Sequence, residues 1–384
     1  MKTLQLVRAF PPAILLALAL AGGPSSAQVI SGGGPQRIQL LGALTLFVDG
    51  STGNDNNNGL VAGSAFATIT RAATVASNNY DTRGNNVTIQ LAVGQTWTNQ
   101  NIAGGLLGGG AIILDGGNGT ITGNAGNGLL ISGSLGSDIT QSSTFLIIQN
   151  VTFTCSNSGN GLVALNGIVG TAAGITFGSC PGGTHKISDG GLSRLSANNS
   201  YTISGGALRH MQATAGGHVD DNQAITVTLT GTPAFSGAFA LADQLGKVTG
   251  LGVTYSGAAT GIRYQAGNNS SITTGASGPN YFPGNAAGFV TSGGRYDAPG
   301  TPAVTACGTT PGSPSGTDQS GIVQEGTTAT GCTITFTTQN QPKACTVGTN
   351  NATIQAGLTL SISATQLILA HPSVSSAFVF WICQ

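Results

Sequence analysis

The chain has 384 residues, of which 62 are Gly, 40% are hydrophobic and only 6% are charged, with 12 Lys+Arg balancing 12 Asp+Glu. So little charge at ordinary apolar content excludes a highly charged disordered segment and long solvent-exposed helices, and leaves little grip on nucleic acid. The glycines follow no Gly-X-Y period, which excludes collagen; a large all-β structure with Gly, Asn, Ser and Thr turns remains.

In chain order, "MKTLQLVR" is a short basic stretch, "FPPAILLALALA" an apolar one and "GGPSSAQ" a small-residue zone. Together they predict a signal peptide over residues 1–27, cut after Ala27. The unbroken apolar run from Ala13 to Ala21 is shorter than the roughly 20 residues that span a bilayer, so no transmembrane segment is expected after cleavage. The chain is expected to be secreted or held at the cell surface. Loss of Lys2 and Arg8 leaves 10 basic against 12 acidic residues, a formal charge of −2. Residues 28–44 form a lead-in segment.

Next, "LFV" reads as a strand and "DGSTGNDNNNGL" as a loop. "SAFATITRAATVASN" predicts a helix over 64–77, with Ser64 at the N-cap and Phe66, Ile69, Ala72, Ala73 and Ala76 on one apolar face. Asp55 stands in the Asn/Gly run with only Asp49 as an acidic neighbour and no closing Glu, which makes the loop a turn rather than a calcium site. "NVTIQLAV" is the following strand. From there to about residue 297, runs such as "AIILDG", "STFLIIQNVTFTC" and "AITVTLTG" alternate with Gly- and Asn-rich turns at intervals of about ten to twenty-five residues. That rhythm suits a solenoid and also a sandwich. Short strands and recurrent Asn-Gly turns favour a right-handed parallel β-helix over 45–298, lidded by the helix.

The stretch "FVDGSTGNDNNNGLVAGSAFATITRAATVA" resembles the N-terminal motif of secreted and phage-tail parallel β-helix proteins: strand, Gly-x-Asp-x-Asn-x-Gly-Leu loop, Phe-Ala-Thr-Ile, capping helix. The tract through "NYFPGNAAGFVTSGGRYD" resembles the body of tail-spike-like and adhesin-like proteins of the pectate-lyase-like superfold. The tail, with "GCTITFTTQNQPKACTVGT" and "FVFWIC", resembles a small all-β module that follows such bodies. This resemblance covers most of residues 45–384. It implies the fold and a homotrimer, although the sequence holds no heptad repeat. It implies no single activity, since some members cleave polysaccharides and others bind or build structure.

Pro299, Pro302, Pro311 and Pro314 mark a break, read as a linker over 299–306 before an all-β, sandwich-like disulfide module over 307–384. The six cysteines fall as two plus four, and the absence of C-x-x-C removes metal knuckles and thioredoxin chemistry. Clustering favours Cys155–Cys180 in the solenoid. In the tail it favours Cys307–Cys332 with Cys345–Cys383, or alternatively Cys307–Cys383 with Cys332–Cys345. Neither a metal nor a cofactor is expected.

Charged residues gather between positions 185 and 221. With a coil of about 20–25 residues, Asp189 would stack near Arg209 or His210, Asp220 or Asp221 near Asp243, and Asp243 near Arg263. A glycosidase needs two carboxylates about 5–9.5 Å apart, and a lyase needs a base beside a uronate. Asp189, Arg209, His210, Asp220, Asp221 and Asp243 are therefore the candidate catalytic residues, with Tyr255, Arg263 and Tyr264 as candidate substrate contacts. The plainer reading makes each Asp a turn residue and His210 a core residue beside Met211. On balance the sequence points to a non-catalytic, adhesin-like binder of a polysaccharide or cell-surface glycan, resting on its long hydroxyl- and amide-rich face. The alternatives are a polysaccharide-degrading enzyme and a structural tail-fibre or envelope component.

Overall fold

A strand such as Leu44–Val48 buries Leu44, Leu46 and Val48 and turns Thr45 and Phe47 outward, the period-two pattern of a half-buried strand. Five residues cannot bury that inner side alone, so each strand pairs in parallel with its counterpart one coil further on. In the computed structural model this stacking runs through about seven turns of a parallel β-solenoid. The structure describes residues 27–28, 37–133, 145–221, 224–275, 278–297, 302–316, 320–336, 344–363 and 366–383. The expected signal peptide lies almost wholly outside them.

Each coil has three faces. The first is built from Val87–Leu91, the leading halves of the long strands Ala111–Asn124 and Phe145–Ser156, then Ile168–Thr171, Arg194–Ala197, His218–Asp221, Lys247–Gly250, Ser271–Thr273 and Arg295–Tyr296. The second runs from Thr96–Thr98 through the trailing halves of the long strands to Ile175–Phe177, Tyr201–Ile203, Thr226–Leu229 and Thr254–Ser256. The third runs from Gln100–Ala103 through Asn127–Ser132, Asn160–Leu165, Cys180–Asp189, Ala207–Thr214 and Ala234–Ala242 to Thr260–Ala266. At the corner between first and second faces the chain takes left-handed residues, Asn150 at φ 54° and Gly174 at φ 77°. A Cβ on Gly174 would sit 2.4 Å from Asn150 Oδ1, so only glycine fits above that asparagine.

The N-terminal lid is a helix over Ile69–Asn79, later than the expected 64–77, and Ala62–Ser64 is a separate 3-10 turn. The cap is Thr68, whose side chain accepts from the Arg71 N–H; Ser64 makes no cap bond. The apolar face is the expected one, with Phe66, Ile69, Ala72, Ala73 and Ala76 all fully buried. Asp55 explains the later start. Its Oδ1 accepts from the N–H groups of Ala67 and Thr68 and its Oδ2 from the Thr68 hydroxyl, fastening the Asn/Gly loop to the helix N-terminus. At the other end, Phe282 is buried against Phe239 and Tyr255, and the Tyr281 hydroxyl accepts from the Val253 N–H.

Beyond the solenoid, two four-stranded antiparallel sheets enclose a separate core of Val323, Ile334, Leu367, Leu369, Val379 and Trp381. Disulfides join Cys155 to Cys180 between neighbouring coils, and Cys307 to Cys332 and Cys345 to Cys383 in the tail. Among the described residues no helix is long and apolar enough to cross a membrane.

If Asp55 is a fastening residue, Asp55→Ala lowers the stability of the N-terminal coils by about 1–3 kcal/mol in urea titration. Calcium leaves the wild-type midpoint unchanged; a midpoint that rises with calcium would make the loop a cation site instead.

Candidate functional site

The candidate catalytic residues do not converge. Coil length varies around the expected 20–25 residues: Arg194 pairs with His218, 24 positions on, but His218 with Lys247, 29 positions on. Asp189 therefore stacks on Thr214, whose hydroxyl donates to its Oδ1 at 3.0 Å, and not on Arg209 or His210. Asp220 and Asp221 stack on Thr249 and Gly250, not on Asp243. Asp243 accepts from Asn268 Nδ2 at 2.8 Å, while Arg263 reaches the Ala286 carbonyl at 3.2 Å. Arg209 is half-buried and donates to Gln212 Oε1. Asp220 and Asp221 are adjacent in one strand and so point to opposite sides of the sheet, which prevents them from acting as a pair. Two candidate substrate contacts also belong to the interior. Tyr264 is buried and stacked on Tyr296 with centroids 3.9 Å apart, and the Tyr255 ring packs among Phe239, Tyr281 and Phe282.

What the register does assemble is a polar cluster inside the solenoid. Lys186 occupies an inward row between Leu162 and Met211, with 1% of its side chain exposed. Its Nζ donates to Asp221 Oδ1 at 2.5 Å and to the Tyr201 hydroxyl at 3.2 Å. Tyr201 Oη lies 2.8 Å from Asp221 Oδ2 and 2.8 Å from His210 Nε2. His210 Nδ1 lies 3.1 Å from His185 Nδ1, and His185 Nε2 donates to the Gly178 carbonyl at 2.8 Å. The third face thus supplies Lys186, His185 and His210, the second Tyr201 and the first Asp221. Phe177 and Phe239 wall the cluster with rings 5.2 and 5.0 Å from His210. Burial pushes Lys186 down, opposed by Asp221. It pushes His185 down to about 3 and His210 well below the usual range, with the Lys186 charge adding to both. Sequence reasoning counted His210 and Asp221 as catalytic candidates, gave the core as the plainer place for His210, which is where it lies, and missed Tyr201; the register brings all three together.

Two rows stand on the outside. On the first face Arg194, His218, Lys247, Ser271 and Arg295 occupy successive rungs. Arg194 is half-exposed, and its Nη2 donates to Asp220 Oδ2 at 2.5 Å. On the second face Thr96, Thr120, Thr152, Thr176, Thr202, Thr228 and Ser256 form one continuous row. A Thr-x-Thr spacing in "TWT", "TIT", "TFT" and "TVT" is the sequence signal for this row. Among the described residues, no group of three or more His, Cys, Asp or Glu side chains is placed to hold a metal ion.

The buried histidines set a pH dependence. Unfolded, each takes up a proton below about pH 6.5, which the folded chain refuses. Stability from the cluster is therefore complete at neutral pH and is lost as the pH falls from about 6.5 towards 3, at up to about 1.4 kcal/mol per pH unit for each histidine. Urea midpoints measured from pH 7.5 to 4 show this slope, and His185→Gln with His210→Gln flattens it. No family model, no curated protein and no solved structure matches the chain, so a functional reading rests on these residues.

Proposed function

We propose that this is an exported, non-catalytic solenoid that binds an acidic glycan along its first face. Export is supported by the N-terminal pattern and by three disulfides, which persist in oxidising compartments. The observation that carries the glycan reading is the row of Arg194, His218, Lys247 and Arg295. In a chain with only 12 Lys and Arg, three of them fall in one line with a histidine. At roughly 4.8 Å per rung the row spans about 19 Å, a length suited to several sugar units of an extended polyanion. Ser271 in the row and Thr273 beside it are partly exposed hydroxyl partners. A nucleic acid fits less well, because three cations partly offset by Asp220 neutralise few phosphates and this stretch presents no Phe, Tyr or Trp outward for base stacking.

A catalytic reading has one observation in its favour. Asp189 stacks on Thr214, and Asp243 follows the pair of Ala213 with Ala242, so the two carboxylates share one edge two rungs apart. That separation is roughly 9–10 Å, at the far limit for an inverting pair. Both are already engaged, with Thr214 and Asn268.

Retention on immobilised acidic and neutral polysaccharides, assayed alongside new reducing or unsaturated ends, separates these readings. Acidic glycans are expected to retain the protein at low salt and release it as salt rises. Lys247→Ala with Arg295→Ala weakens retention roughly tenfold. Retention by neutral glycans alone, lost in Thr152→Val with Thr176→Val, moves the site to the threonine row. Cleavage lost on Asp189→Asn or Asp243→Asn makes the protein an enzyme, and neither retention nor cleavage favours a structural component.

In the same proposal the tail module carries self-association into a trimer. One of its sheets turns Ile322, Phe380 and Ile382 outward, at 39%, 41% and 62% exposure. Light scattering is expected to give a trimer for the whole chain and a monomer for Phe380→Ser with Ile382→Ser; a wild-type monomer at micromolar concentration removes the idea.

A further inference from the structure

We infer that Lys186 and Asp221 are the two halves of a self-forming amide cross-link, joined through Nζ and Cγ inside the solenoid. Hydrogen atoms decide how the cluster is protonated. His185 Nε2 faces a carbonyl, which cannot donate, so that nitrogen carries the hydrogen. Nδ1 of a neutral His185 is then an acceptor, and His210 Nδ1 donates to it. His210 Nε2 is left as an acceptor and takes the Tyr201 hydroxyl hydrogen. The contact between Tyr201 Oη and Asp221 Oδ2 then joins two acceptors unless Asp221 holds a proton.

Lys186 is the source of that proton. As an ammonium it has three N–H bonds and, among the described residues, two hydrogen-bond acceptors, the oxygens of Tyr201 and Asp221, with the Tyr201 ring 4.8 Å away. Passing the third hydrogen to Asp221 gives all six contacts of the cluster one hydrogen each, with none left over. The same transfer removes two opposite charges from a site where Lys186 and Asp221 are 1% and 0% exposed. The result is a neutral amine against a neutral carboxylic acid, the reactive forms for condensation.

The step balances without a further reactant. The Nζ lone pair forms a bond to Asp221 Cγ, and the C=O electron pair moves onto Oδ1. Tyr201 Oη, 3.2 Å from Nζ and 2.8 Å from Oδ2, takes a hydrogen from the nitrogen and, turning its own from His210 Nε2, gives that one to Oδ2. Oδ2, already carrying one hydrogen, leaves as water while Oδ1 re-forms the carbonyl. Amine plus acid gives amide plus water, with nothing oxidised or reduced. Tyr201 touches both reacting groups and is the catalytic residue; His210 acts through it and is a positioning residue. Phe177, Met211 and Phe239 surround the bond with apolar surface that disfavours the return of water. The cross-link ties the third face of one coil to the first face two coils later, independently of any ligand outside.

Tryptic mass mapping of the folded, exported chain after reduction and alkylation tests this. The expected product is Gly84–Arg194, uncut at Lys186, joined to His210–Lys247 with the loss of one water (~18 Da). Tandem fragmentation places the bond between Lys186 and Asp221, and Asp221→Ala abolishes it. Tyr201→Phe slows its appearance by about 10²-fold, read as linked fraction against time. Cleavage at Lys186 with both peptides free, from wild-type chain whose three disulfides are formed, overturns the inference and leaves a buried ion pair. Linkage in Tyr201→Phe at the wild-type rate overturns the role given to Tyr201.

Discussion

In-register parallel hydrogen bonding between coils is the constraint on which the rest of this molecule depends. Because each strand pairs in parallel with the strand one coil away, with register shifts only at points such as Cys180–Thr184, a side chain's surroundings are fixed by its row and not by its neighbours in sequence. Rows that point inward become continuous cores, as in Leu129, Leu162, Lys186, Met211, Ala240 and Tyr264. Rows that point outward become continuous ladders, whether of cations or of hydroxyls. Any chemistry this fold performs is displayed along such lines.

One inward row contains a lysine, and that exception organises the middle of the solenoid. An unpaired ammonium between Leu162 and Met211 would cost several kcal/mol, so the neighbouring rows must supply partners at the same height. They do: Tyr201 stands between Ile175 and Val227 in the second face, and Asp221 between Ala197 and Gly250 in the first. His210 and His185 extend the chain of hydrogen bonds to the Gly178 carbonyl, so that it ends on backbone. Every polar atom of the cluster is thereby addressed within the core.

Fold class was legible in the sequence because it depends on local signals. The apolar spacing of Phe66, Ile69, Ala72, Ala73 and Ala76, the Asn/Gly turns and the two-plus-four cysteines each carry their meaning within a few dozen residues. The helix start was misplaced because its cap is decided from outside: Asp55, thirteen residues earlier, fastens Thr68. The site was not legible, and the reason is arithmetic. A stacking assignment needs the length of every intervening coil, and these differ even along one row, with 24 residues between Thr96 and Thr120 but 32 between Thr120 and Thr152. An error of one residue also reverses inside and outside, so sequence spacing could not tell that Asp221 points inward while Asp220 points out.

Charge is scarce enough here that its placement carries information. A surface rich in Lys and Glu would bring several cations into one row by chance, and such a row would mean little. This chain has 12 basic residues, two of them in the leader expected to be removed, and the outward row of the second face is Thr and Ser from Thr96 to Ser256. The hydroxyls and amides keep the surface hydrated without charge, so solubility does not require cations on the first face. Core packing does not require them there either, because Arg194, Lys247 and Arg295 are all exposed. Coil stacking does not require them either, and His218 and Ser271 separate the three cations on the intervening rungs. Arg194 has Asp220 beside it, whereas Lys247 and Arg295 have only His218 and Ser271 as row neighbours, so these two are the charges that the proposed glycan would meet.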